Sequence, residues 1–206
     1  MQIAQYTVGP LGTNCYLLTC KKSGVSAIVD PGGVSAGLAA AVKKAAVEKI
    51  LLTHGHFDHT EGVPHFLETT GAPLYIHEHD TALLTDDRLS GAMLFGTPFI
   101  IDTEPVLMRD GDTITVGEES VRIIHTPGHT RGSVVFVCGN ECILSGDTLF
   151  RMSVGRCDLP GGDYDSLIRS LGALIDAFPD DMPVYPGHGG ATTIGFERRA
   201  NPFIRG

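Results

Sequence analysis

Four apolar runs in this chain end in the same way. "KILLTHGHFDH", "VRIIHTPGH", "CILSGD" and "MPVYPGH" each pass from hydrophobic residues into a glycine-containing turn that carries histidine or aspartate. Short apolar runs bounded by turn residues read as strands. A fold that accepts all four must therefore present several strand ends as polar loops, the place where layered α/β proteins commonly gather their chemistry. The first run is the densest, with three histidines and one aspartate between His54 and His59, although the whole chain of 206 residues holds only 9 histidines. A surface loop has no need of such crowding, and a core would have to hydrogen-bond every imidazole it buried. Metal ligation is the reading that accounts for it.

Other runs ("QIAQYTV", "CYLLTC", "SAIVDPGG", "APLYIHEHD", "SVVFVCGNECILSGD") add further strands, and residues 35–47, 61–70 and 164–178 carry helical spacing, with Asp163 as the N-cap of the last. The pattern is that of a mixed α/β domain. With 42% hydrophobic residues and no linker rich in Pro, Gly and Ser, one domain over residues 1–206 is expected. Fifteen basic against 24 acidic residues give a formal charge of −9, and no lysine or arginine run could track a phosphate backbone, so nucleic acid is not an expected partner. No signal peptide or membrane span is visible. The 5 cysteines form an odd set without a C-x-x-C pair, which fits a reducing cytoplasm rather than a disulfide framework.

His54 and His56 are two apart at a strand end and can grip one ion from the same side. Asp58 and His59 would diverge in a strand, but a turn into the helix of "EGVPHFLETT" could carry both toward a second ion. Two metals are therefore expected rather than one. Further donors come from His129 in "TPGHT", Asp147 in "SGDTLF" and His188 in "YPGHGG", each preceded by a glycine that lets backbone approach closely. His65, His77, His79 and His125 read as surface or hydrogen-bonded histidines. The "HEH" of His77 and His79 could take a stray ion, but nothing nearby completes a site. Cys138 and Cys142 flank the "GN" of a hairpin and read as small buried thiols, and no role is assigned to Cys157.

With these residues in view, the sequence resembles the metallo-β-lactamase superfamily, whose hallmark H-x-H-x-D-H is followed by distant His, Asp and His. Within it, "GDTLF", "VGRCDLPGGD" and "TTIGFERRANPFI" are similar to glyoxalase II-like hydrolases, particularly their short single-domain bacterial members. The resemblance implies a four-layer αβ/βα sandwich of two mixed sheets flanked by helices, with the metals in a cleft at one edge. It also implies a ligand set: His54, His56 and His129 on one metal, Asp58, His59 and His188 on the other, and Asp147 between them, with Asp30 of "IVDPGG" supporting the site from behind. Arg156 falls where such enzymes place a basic residue near the thiol part of the substrate. The helical C-terminal domain that supplies glutathione contacts in longer relatives is not expected here.

The resemblance further implies a metal-dependent hydrolase, foremost a thioesterase for hydroxyacylglutathione-type substrates. Asp58 and Asp147 hold its catalytic ions, and a hydroxide bridging them attacks. Nitrogen and oxygen donors suit zinc, with iron or manganese as alternatives. A thiolate departs without strong protonation, whereas an amide nitrogen needs a proton donor. An iron persulfide dioxygenase of the same superfamily is the alternative enzyme, and a non-catalytic metal-binding module is a third class.

Overall fold

The central strands Thr13–Thr19, Val25–Val29, Val134–Cys138 and Cys142–Gly146 are buried on both faces, and the layering shows why. A computed structural model describes residues 1–96 and 99–204. In it, β1 (Gln2–Val8), β2 (Thr13–Thr19), β3 (Val25–Val29), β4 (Ala46–Leu51), β5 (Leu74–His77) and β6 (Val106–Met108) form one sheet in chain order. A second sheet has the order β12-β11-β10-β9-β8-β7, built from β7 (Thr113–Val116), β8 (Glu119–His125), β9 (Val134–Cys138), β10 (Cys142–Gly146), β11 (Pro183–Pro186) and β12 (Thr192–Thr193). Both sheets mix parallel and antiparallel pairs: β3, β4, β5 and β6 run parallel in the first, and β10 runs parallel to β11 in the second.

Alternate residues of each central strand serve different layers, as period-2 geometry requires. Tyr16, Leu18, Ala27, Val29 and Leu51 meet Ile123, Val134, Phe136 and Leu144 between the sheets. From the same strands Leu17, Ile28 and Ile50 point the other way, onto Leu38 and Val42 of α1 (Ala36–Lys44) and Val63 and Phe66 of α3 (Val63–Thr70). Val135, Val137 and Ile143 likewise face Leu171, Leu174 and Ile175 of α5 (Tyr164–Ala177) and Ile194 of α6 (Ile194–Ala200). The four-layer sandwich is thus built from three apolar interfaces.

Local signals set the helix boundaries. Asp163 accepts the Ser166 N–H and starts α5, and Ser35 does the same for Leu38 in α1. The helix expected over 35–47 stops at Lys44 because Ala45 turns to an extended ψ of 148° and the chain enters β4. The segment expected as helix over 61–70 begins at Val63, after Gly62. The short α2 (Phe57–Thr60) precedes it and α4 (Thr81–Thr85) follows β5. No helix among the described residues is long and apolar enough to cross a membrane.

Candidate metal centre

Both sheets deliver their loops to one end. After β4 the chain leaves the sheet, so His54 and His56 lie in an irregular segment and Asp58 and His59 on α2; His129 follows β8, Asp147 follows β10 and His188 follows β11. Seven side chains from four loops meet there. His54 Nε2 lies 3.1 Å from His129 Nε2, which is itself 2.8 Å from His56 Nδ1. On the other side His59 Nε2 stands 3.3 Å from His188 Nε2 and 3.6 Å from Asp58 Oδ2. Asp147 spans both groups, with Oδ1 3.3 Å from His59 and Oδ2 3.6 Å from His129 and 3.7 Å from His188. The seven donors expected from the sequence are therefore brought together.

A pair of divalent cations fits this arrangement on three counts. The first is tautomeric. His129 Nδ1 donates to the Arg156 carbonyl at 2.7 Å, which leaves its Nε2 bare. Thr53 gives its hydroxyl proton to Asp30 Oδ2, so His54 Nδ1 donates to Thr53 Oγ1 and its Nε2 is also bare. Two lone pairs at 3.1 Å repel unless a cation lies between them. Secondly, Asp147 Oδ1 is buried without a hydrogen-bond partner, close to His59 but poorly directed. Thirdly, three overlapping triads of metal-type donors occur here among the described residues, His54–His56–His129, His54–His59–Asp147 and Asp58–His59–His188.

Electrostatics divides the centre in two. Burial, then the neighbouring histidines, pushes His54 well below its ordinary range and His56 down to about 3, so both are neutral donors. Burial opposes charge on Asp58 and Asp147 too, but adjacent histidines, His59 foremost, outweigh it and hold both carboxyls ionised. His59 and His188 are correspondingly raised against their own burial, His59 chiefly by Asp147 and Asp58, and His188 by its hydrogen bond to Asp58. Protons there stand where positive charge is wanted.

The supporting groups come from remote parts of the chain. Asp30 receives the Thr53 N–H at 2.7 Å and His59 Nδ1 at 3.0 Å, the supporting position expected of it. Asp80 carries no comparable signal in the sequence, yet it is buried and accepts Gly55 N–H, Thr130 Oγ1 and Gly132 N–H at 3.0, 2.7 and 2.6 Å. One carboxylate thus ties the loop of His54 to the loop of His129. Asn14 and Tyr16 hold the His188 loop through the carbonyls of Pro186 and Gly189. Gly187 is needed because a Cβ there would collide with Asp147 and the His59 ring.

A cleft of about 340 Å³ opens over the donors, walled by Leu11, Phe57, Phe95, Phe150, Val154 and Leu159. Arg156 lines it as well, but its guanidinium is exposed and makes a bidentate pair with Asp158 at 2.6 and 2.8 Å. Cys138 and Cys142 face each other across β9 and β10, buried as expected of core thiols. His65 borders a separate hollow between α1 and α3. The expectation that nothing completes a site around His77 and His79 needs correction, since His125 joins them from the other sheet.

The surroundings agree with known proteins. A hydroxyacylglutathione hydrolase of Haemophilus influenzae, GloC, is 32% identical over 209 residues, covering 99% of this chain and 98% of that one. The crystal structure of BLEG-1 B3 metallo-beta-lactamase superposes with a TM-score of 0.92 at 36% identity, over 100% of both chains. TTHA1623, crystallised in a di-iron-bound form, gives 0.86 at 36% identity over 97% of this chain and 99% of that one. With the family model matching residues 8–188 as well, the chain belongs to the metallo-beta-lactamase superfamily.

Proposed function

We propose that this metal-dependent hydrolase is a thioesterase that cleaves hydroxyacylglutathione-type thioesters with two zinc ions held by His54, His56 and His129 on one side, Asp58, His59 and His188 on the other, and Asp147 between. When bound, the two ions supply a water ionised near neutral pH and a Lewis acid for the carbonyl oxygen. The observation that carries the reading is the lining of the cleft. Its titratable side chains are His56, Asp58, His129, Asp147, His188 and Arg156, and the first five belong to the donor set. Arginine and the cleft's Ser90 and Ser153 are not acids at neutral pH, so among the described lining residues no free side chain can protonate an amide nitrogen as it leaves. A thiolate leaves without that help. The similarity to GloC supports the same substrate class.

The chain's own residues orient the reaction. Asp30 and the Arg156 carbonyl fix the rings of His59 and His129, and Asp80 keeps the His54 and His129 loops together. The apolar walls exclude water from the acyl group, and Arg156 is the cation available to a substrate carboxylate. Two overlapping donor groups favour two ions over the single iron of a dioxygenase. The five cysteines are all unpaired, which supports action in the reducing cytoplasm, and a cleft of about 340 Å³ suits a small-molecule substrate.

A lactamase reading is favoured by the BLEG-1 likeness, and one substrate panel tests both. The metal-replete protein should hydrolyse a hydroxyacylglutathione at least tenfold faster, in kcat/KM, than a cephalosporin. Arg156→Ala should lower kcat/KM for the glutathione thioester by about tenfold or more, as expected for a charge-assisted hydrogen bond of roughly 1.5–3 kcal/mol, and leave a short neutral thioester unchanged. Faster cephalosporin turnover would reverse the assignment, and equal losses on both thioesters would make Arg156 a loop-structure residue.

A further inference from the structure

β5 and β8 belong to different sheets, yet their last residues, His77 and His125, stack with ring centroids 4.1 Å apart and planes 11° from parallel. A one-turn 3-10 helix over Glu78–Asp80 then returns His79 edge-on to both rings, at 5.0 and 5.7 Å. One nitrogen of each imidazole lies within 4.8 Å of one from each of the others. We propose that these three histidines form a further binding site for a zinc-class divalent ion, separate from the cleft, that pins the two sheets together.

Hydrogen bonding has already freed the lone pair of one of the three donors and located that of a second. His125 Nε2 donates to the Arg131 carbonyl at 2.8 Å, which leaves the Nδ1 lone pair free. His77 Nδ1 accepts the His79 backbone N–H at 3.2 Å, so its lone pair too lies on Nδ1, committed only to a long hydrogen bond. Burial, then His125 and His79, lowers His77 to about 4, so the ring is neutral at neutral pH. Two carboxylates lie near the cluster and act on His77: Asp110, which accepts the His125 backbone N–H at 2.9 Å, and Glu78, which is paired with Arg109 at 2.9 Å. Neutral nitrogen donors with carboxylates behind them suit a borderline cation such as zinc, and three protein ligands leave its fourth position to water.

A tetrahedral ion at about 2.0–2.1 Å from each nitrogen needs those nitrogens roughly 3.4 Å apart. In the stack the in-plane lone pairs of His77 and His125 run parallel, so one of the two rings must turn about its χ angles for both to reach one ion, and the exposed His79 follows by changing rotamer. The next residue is Asp80, which joins the His54 and His129 loops. An ion here would therefore brace the junction beneath the catalytic centre without belonging to it.

Zinc stoichiometry tests this directly. Metal-stripped protein and the His79→Gln variant are dialysed to equilibrium against the same zinc buffer and their zinc content measured. The unaltered chain should hold one equivalent more than the variant, and the same difference should persist when both carry His188→Ala, which changes only the cleft. Zinc titration should also raise the thermal midpoint further in the unaltered chain than in His79→Gln. Because His79 is exposed, loss of fold is not expected, and circular dichroism checks it. Equal zinc content in the two proteins would overturn the proposal, as would a difference that vanishes in the His188→Ala background.

Discussion

Asp30 shows how much of the centre rests on a residue that touches no substrate. Its φ of 49° is one of two positive values at non-glycine positions among the described residues, in a region that Asp and Asn tolerate better than most. That conformation lets Oδ1 take the Thr53 N–H while Oδ2 takes both the Thr53 hydroxyl and His59 Nδ1. Asp30→Asn keeps the size and the backbone preference but removes the charge. It should therefore lower metal affinity or turnover by about 10–100-fold, the usual effect of losing a partner of a ligating histidine. Asp147→Ala should abolish turnover and deplete both ions, since its two oxygens face both donor groups. Metal content and thioester hydrolysis of the two variants, measured side by side, check the ranking; wild-type values for Asp30→Asn would mean that His59 is oriented by other groups.

At the scale of elements, the centre depends on loops from both sheets being held in register. The 3-10 turn after β5 delivers Asp80 to the gap between the loop that follows β4 and the loop that follows β8. Replacing it with alanine leaves the buried Gly55 and Gly132 N–H groups without their acceptor, at roughly 1–3 kcal/mol each, while the Thr130 hydroxyl falls back on Ser133 Oγ at 2.7 Å. Even with relaxation and water entry, a loss of roughly 3 kcal/mol is expected, which for a chain of this size lowers the thermal midpoint by about 6–12 °C. Calorimetry of Asp80→Ala measures it. Activity should fall with stability, because His54 and His129 would no longer be tied to each other.

For the whole molecule, the centre is a concentration of buried groups that are mutually compatible only around positive charge. His54 and His129 oppose lone pairs, and Asp58 and Asp147 stay ionised while buried. Metal that binds the folded chain and not the unfolded one stabilises by mass action, about 2.7 kcal/mol at a free concentration one hundred times Kd. Chelation should therefore lower the thermal midpoint by roughly 5–11 °C for each ion lost, and restoring zinc should reverse it. An unchanged midpoint after verified removal of metal would show that protons at His59 and His188 replace the ions without loss.

The seven donors and the mixed α/β character were legible in the primary structure because their signals are local, while the four-layer arrangement was implied by the family resemblance. Strand-end motifs such as "IIHTPGH" and "VYPGH" announce themselves within ten residues, apolar runs without alternation imply burial on both faces, and Asp163 marks the start of α5. The three-residue β6 and the half-exposed β7 gave no comparable signal. Neither did Asp80, Asn14 and Tyr16, whose partners lie 25 to 175 residues away and are chosen by how the loops pack. The same holds for Arg156, where sequence offers a cation and packing decides that Asp158 engages it. It holds most clearly for His125, 46 positions beyond His79 in the chain and unremarkable there. Periodicity fixes which face a side chain occupies, but the closing of two sheets determines which side chains from distant strands meet.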